Sequence, residues 1–158
     1  VSPRREHLAV LENDGRIRFY NPETGRESRA PLEKPGRAGR ATFSPDGRWL
    51  AVDDVAGVRL HDLRKGEMRV LNASGLRLGR FAFAPDSRTL VATYGEPTIW
   101  LWNVATGQEM GAIRGCHSGY DSACFSADGT QLIAGGRDGC VTSWRALPPE
   151  GLSQQQPP

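Results

Sequence analysis

A short phrase occurs three times in this chain of 158 residues, at nearly constant spacing. It reads Phe-Ser-Pro-Asp-Gly from Phe43, Phe-Ala-Pro-Asp-Ser from Phe83 and Phe-Ser-Ala-Asp-Gly from Phe125, so successive copies begin 40 and 42 residues apart. A second phrase, out of phase with the first, ends in a glycine every 41 residues. A fixed period of this length is typical of a repeat architecture, in which each unit buries its faces against its neighbours.

The pattern inside one period predicts β-strands. In the third unit, apolar and β-branched residues form four short runs that are separated by turn-forming residues. The runs are 80–84, 89–93, 98–102 and 108–113. Each copy of the first phrase also places an aspartate in a turn, where its carboxylate can accept hydrogen bonds from the following backbone. These aspartates are Asp46, Asp86 and Asp128. We therefore predict an all-β chain in which one period forms a four-stranded antiparallel sheet.

These residues resemble the WD-repeat family of β-propellers, whose blades run from a Gly-His pair through an F-S-P-D-G turn to a closing Trp-Asp. The last unit is the most similar, with His117, Asp138 and Trp144 at the family's positions, and Trp102 closes the preceding unit. The resemblance implies that the two tryptophans pack between blades and that His117 bonds within its blade. Ala134 stands where the family's hydrogen-bond network has a hydroxyl, so that network is expected to be incomplete.

The repeats predict an incomplete propeller over residues 1–147. Its units are expected at approximately 7–29, 37–71, 77–113 and 117–145. The first unit aligns with the second strand of a blade, so we expect the chain to begin inside a unit. The polar, proline-ending segment 148–158 is expected to be a disordered tail. An open sector leaves blade faces uncovered, which predicts either further blades upstream or self-association of two half-propellers.

Composition narrows the class of function. The net charge of +2, without blocks of like charge, argues against a nucleic-acid partner. No apolar run has the length of a membrane span. The three cysteines indicate no disulfide framework, and their odd number favours a reducing, cytoplasmic compartment.

Neither a metal site nor a catalytic centre is indicated. Cys116, His117, Cys124 and Cys140 lack the spacing of the common paired zinc ligands. The stretch 115–119 has a histidine where a nucleophile elbow requires a serine. No dinucleotide-binding or phosphate-loop glycine pattern occurs. The sequence therefore predicts a protein that is not an enzyme, with no metal, no cofactor and no catalytic residue.

Arginines form the one local pattern that goes beyond the repeat. The arrangement Arg-x-Gly-Arg-x-x-Phe occurs at equivalent positions in two successive units, where a propeller chain enters the innermost strand near the central channel. A further arginine, in the loop between the second and third strands of the last unit, is expected on the same face. The five residues are Arg37, Arg40, Arg77, Arg80 and Arg137. Guanidinium groups engage carboxylates or phosphates through two donors at once, so we hypothesise an acidic or phosphorylated protein partner. The alternative is that these arginines cap blade edges and point to water.

The function that these observations favour is a non-catalytic scaffold, which presents loops on one face of a propeller sector to a protein or peptide partner. The step from fold to function rests on the family resemblance. One alternative is a regulatory or sensor propeller attached to an upstream catalytic domain such as a protein kinase. A second alternative is a propeller hydrolase.

Overall fold

The computed structural model describes residues 1–14, 16–33, 39–54, 57–71, 80–115 and 119–145. Within these ranges the regular structure consists of strands alone, arranged in four antiparallel sheets. The described part of the chain has no helix that could cross a membrane. His117, Arg37, Arg77 and the predicted tail at 148–158 lie outside the described residues.

Each sheet is a meander, in which strands that are consecutive in sequence pair with each other. The first sheet contains β1 (Leu8–Leu11), β2 (Arg16–Tyr20) and β3 (Glu27–Glu33). The second contains β4 (Ala41–Phe43), β5 (Trp49–Asp54), β6 (Gly57–Asp62) and β7 (Met68–Leu71). The third contains β8 (Phe81–Phe83), β9 (Thr89–Thr93), β10 (Thr98–Asn103) and β11 (Glu109–Arg114). The fourth contains β12 (Tyr120–Phe125), β13 (Gln131–Gly136) and β14 (Val141–Arg145). The prediction of all-β propeller blades in an incomplete propeller is confirmed.

Three apolar clusters lie between successive sheets and hold them together. The first and second sheets share a cluster that includes Ile17, Phe19, Leu50 and Val52. The cluster between the second and third sheets includes Trp49, Val58, Leu60, Leu71, Leu90, Tyr94 and Trp102. The cluster between the third and fourth sheets includes Val91, Ile99, Tyr120, Leu132 and Ala134. Every sheet is therefore joined to its neighbour by buried side chains.

The backbone hydrogen bond that closes the turn of the first phrase recurs in the second, third and fourth sheets, and a serine hydroxyl adds a second bond in the second and fourth. In the second sheet, the Ser44 amide donates to the Trp49 carbonyl at 2.9 Å, and the Trp49 amide donates to Ser44 Oγ at 2.9 Å. The Asp46 carboxylate accepts from the Arg48 amide at 3.0 Å. Asp86 and Asp128 accept in the same way from the second amide that follows them.

A fourth copy of this turn lies at residues 2–7, where the sequence pattern did not reveal it. The Ser2 amide donates to the His7 carbonyl at 2.7 Å, and the His7 amide donates to Ser2 Oγ at 3.0 Å. Arg5 has a φ of 55°, and Gly47, at the equivalent position of the second sheet, has a φ of 73°. The first unit, predicted from residue 7, therefore includes this earlier turn, and its third strand continues to Glu33.

We expect an Arg5→Gly variant to be more stable than the natural chain. A side chain at positive φ is strained, whereas glycine adopts this conformation freely, so the gain should be about 0.5–1 kcal/mol. Urea unfolding of the two proteins measures the difference. A midpoint that is unchanged or lower in the variant would contradict the assigned turn.

At two of the three junctions between sheets, an arginine on the outermost strand of one sheet donates a hydrogen bond to the next sheet. Arg29 of β3 donates to the Leu63 carbonyl of the second sheet at 3.1 Å. Arg69 of β7 donates in the same manner to the Ala105 carbonyl of the third sheet. The two arginines occupy equivalent register positions, and Gly111 takes this position in the third sheet. The third sheet therefore has no side chain there that could reach the fourth.

Replacement of Arg69 by alanine should lower the free energy of unfolding by about 1 kcal/mol, because a hydrogen bond and a cation–π contact with Trp49 are lost together. Chemical unfolding followed by tryptophan fluorescence measures this loss. Arg64→Ala, which removes an exposed arginine from the same sheet, is the matched control and should leave stability nearly unchanged. Equal effects of the two substitutions would show that Arg69 does not bridge the sheets.

His61 occupies the position that Tyr20, Trp102 and Trp144 take in the other sheets. It is 6% exposed, and its Nε2 atom is buried without a hydrogen-bond partner. Burial, together with the positive charges of Arg59 and Arg29, lowers the pKa of His61 to about 4 from an ordinary value of 6.5. The imidazole is therefore neutral in the folded protein at neutral pH.

Stability should consequently fall as the pH is lowered from about 6.5 to about 4. In this window the unfolded chain binds a proton at residue 61 that the folded chain excludes, which removes about 1–2 kcal/mol of stability between pH 7 and pH 5. Urea unfolding at pH 7 and pH 5 should show this decrease in the natural chain and a smaller decrease in His61→Phe. An equal decrease in His61→Phe would show that residue 61 is not the group responsible.

Candidate functional site

A groove of about 390 Å³ opens between the first strands of the second and third sheets. Four of its lining residues, Gly39, Arg40, Ala41 and Thr42, lie at the start of β4. Arg80 and Phe81, at the start of β8, also line the groove. The structure thus brings together two of the five arginines that the sequence singled out. Both of them are exposed to solvent.

Backbone and side-chain hydrogen bonds to Thr93 fix the position of Arg80. The Thr93 amide donates to the Arg80 carbonyl at 2.8 Å, and the Arg80 amide donates to Thr93 Oγ1 at 3.0 Å. Thr93 is fully buried at the end of β9. The main chain of Arg80 is therefore held to the sheet although its side chain extends into solvent.

Asp53 has the corresponding place beside Arg40, at the far end of β5. The Asp53 amide donates to the Arg40 carbonyl at 3.0 Å, and the Gly39 amide donates to Asp53 Oδ1 at 2.7 Å. A β-carbon on residue 39 would lie 2.5 Å from Asp53 Oδ2, which is too close for any side chain without a shift of the carboxylate. Glycine at position 39 is what allows this carboxylate to lie against the backbone.

The fourth sheet does not extend the pattern of arginines. Ser122 of β12 stands three residues before Phe125, as Arg40 and Arg80 stand before Phe43 and Phe83. Gly135 pairs with Ser122 at the position of Asp53 and Thr93. The guanidinium groups that line the groove therefore come from the second and third sheets.

Arg137 lies in the loop between β13 and β14 and does not line the groove. Its Nε atom donates to Asp121 Oδ1 at 2.8 Å, and both side chains are more than half exposed. The loop is at the same end of the sheets as the groove, since β13 ends where β12 begins. Arg137 is thus on the expected face, but its guanidinium group is paired with the carboxylate of Asp121, a residue of the same sheet.

The described residues of the repeat pattern have positions in turns or in packed clusters. Trp102 is 2% exposed in the cluster between the second and third sheets. Trp144 packs edge-on against Tyr120, with ring centroids 5.7 Å apart. Asp138 accepts from the Cys140 amide at 2.9 Å in the turn before β14.

No group of three or more histidine, cysteine, aspartate or glutamate side chains in the described ranges could hold a metal ion. Cys124 and Cys140 are exposed free thiols on the fourth sheet.

The sequence profile described as "WD domain, G-beta repeat" matches residues 108–145, from the outermost strand of the third sheet through the fourth. A WD repeat-containing protein of Synechocystis is 31% identical over an alignment length of 141, and the match covers 85% of this chain. The four consecutive sheets have the strand arrangement of propeller blades. The chain belongs to the WD-repeat family.

Two further relatives match shorter parts of the chain. Coronin-7 of Pongo abelii is 35% identical over 101 residues, or 63% of this chain. A WD repeat-containing protein of Deinococcus radiodurans is 33% identical over an alignment length of 106, and the match covers 58% of this chain. The matched parts make up 39% of the Synechocystis protein, 11% of Coronin-7 and 40% of the Deinococcus protein. WD-repeat proteins generally serve as scaffolds for protein interactions and are generally non-catalytic.

Proposed function

We propose that this chain is a non-catalytic interaction platform, whose groove between the second and third blades binds an acidic or phosphorylated segment of a protein partner. The observation that supports the proposal is the placement of Arg40 and Arg80, from adjacent blades, along one groove.

The donors in the groove suit an anionic side chain. The exposed Arg80 guanidinium can offer paired N–H donors to a carboxylate or a phosphate, and the exposed Arg40 guanidinium adds a second positive charge to the same groove. Thr42 adds a hydroxyl to the lining, and the half-buried ring of Phe81 adds an apolar surface for the rest of the ligand. Oxygens of the ligand and its neighbouring carbon atoms would therefore both find partners.

The backbone of the groove is fixed before any ligand arrives. The carbonyls of Arg40 and Arg80 accept hydrogen bonds from the ends of β5 and β9, so neither strand start has to become ordered on binding. A rigid site loses less conformational entropy when it binds than a mobile loop does. A volume of about 390 Å³ accommodates a few residues of an extended segment, which favours a peptide over a folded domain.

The test is a comparison of charge reversals at the two ends of the blades. A fluorescein-labelled octapeptide with two glutamates and one phosphoserine serves as the probe, and its glutamine and serine counterpart is the neutral reference. We expect the natural chain to bind the acidic probe more tightly by fluorescence anisotropy. Arg40→Glu/Arg80→Glu should reduce this binding at least tenfold, because two attractions become repulsions.

The matched control is Arg26→Glu/Arg64→Glu, which makes the same change in net charge at exposed turns of the opposite end. This variant should keep most of the affinity for the acidic probe. Equal losses in the two double variants would mean that only overall charge matters, and that the groove is not the binding site. Unchanged binding after the groove reversal would contradict the proposal in the same way.

A further inference from the structure

The two arginines of the groove have different surroundings and should contribute unequally to anion binding, an inference that rests on the proposed function. We infer that Arg80 anchors the anionic group of the ligand, and that the Asp53 carboxylate weakens anion binding on the Arg40 side. Asp53 is then the residue that limits affinity and sets where along the groove the acidic group sits.

Asp53 and Thr93 perform the same structural task with different charges. Each lies three residues after the leucine that pairs with the phenylalanine of the first phrase, and each binds the chain just before its sheet's first strand. Asp53 accepts from the Gly39 amide through a carboxylate oxygen, whereas Thr93 accepts from the Arg80 amide through a hydroxyl. In the third blade a neutral side chain therefore holds the entering chain, although Thr93 accepts from the amide of Arg80, the equivalent of Arg40, and not from the residue before it.

The charges along the groove follow from this difference. At the second blade, a half-buried carboxylate lies against Gly39, the residue next to Arg40. At the third blade, the side chain that binds the Arg80 amide is that of Thr93, which is uncharged. Within the described part of the chain, no carboxylate pairs with the Arg80 guanidinium. An anion that enters the groove is attracted at the Arg80 side and repelled by Asp53 at the other, so its acidic group is directed toward the third blade.

The decisive experiment is removal of the Asp53 charge with retention of its hydrogen bond. Asp53→Asn keeps an oxygen acceptor for the Gly39 amide, and Asp53→Thr places there the residue that the next blade uses. We expect both variants to bind the acidic phosphopeptide roughly two- to fivefold more tightly than the natural chain in low salt. The gain should shrink as the salt concentration rises, and binding of the neutral peptide should not change.

Two comparisons separate this effect from a general change of charge or of fold. Glu23→Gln removes one negative charge from an exposed turn at the opposite end and should leave affinity unchanged. In the chain with Asp53 intact, Arg80→Ala should reduce binding of the acidic peptide more than Arg40→Ala does. This second comparison tests the inference even if the Asp53 variants do not fold.

The outcomes distinguish this inference from the function on which it rests. A natural chain that binds acidic and neutral peptides equally would contradict the proposed function. A preference for the acidic peptide, combined with unchanged or weaker binding in both Asp53 variants, would contradict only the role of Asp53. It would show that Asp53 is needed solely to position Gly39 and Arg40. An equal or greater loss in Arg40→Ala than in Arg80→Ala would overturn the assignment of the anchor.

Discussion

Burial of apolar surface between neighbouring blades is the interaction on which the rest of this structure depends. Alternate residues of one strand point to opposite faces of its sheet, so a single strand supplies two junctions. In β5, Leu50 and Val52 are buried against the first sheet, while Trp49 and Ala51 are buried against the third. A blade with only one covered face would lose half of this burial, which is why stability in such arrays depends on neighbours.

Polar groups at these junctions are tolerated where they find a partner and are costly where they do not. Arg29 covers the ring of Phe19 with its guanidinium group and donates to a carbonyl of the next blade. His61 lies near the same junction but leaves a ring nitrogen without a hydrogen bond. The contrast shows one reason why aromatic residues occupy the corresponding position in the other sheets: they fill the space without a buried charge or an unsatisfied acceptor.

The candidate site arises from the same framework. Strand pairing brings the end of β5 beside the start of β4, and the end of β9 beside the start of β8. The junction cluster then sets the two starts next to each other, so that Arg40 and Arg80 share a groove although they are 40 residues apart in the sequence. The proposed interaction surface is thus a consequence of packing between blades rather than of any one loop.

The sequence by itself determined the repeat period, the strands and the turns, because these depend on local patterns: alternation of apolar residues, and an aspartate or a serine that accepts bonds from nearby amides. It failed at residues 2–7, since that turn shares only Ser2 and Pro3 with the phrase, and backbone hydrogen bonds do not require the remaining residues to match. Sequence also placed Arg40, Arg80 and Arg137 on one face. Only the tertiary structure decided that the first two line a groove while the third pairs with Asp121, because distances between side chains of different blades are set by how the sheets pack.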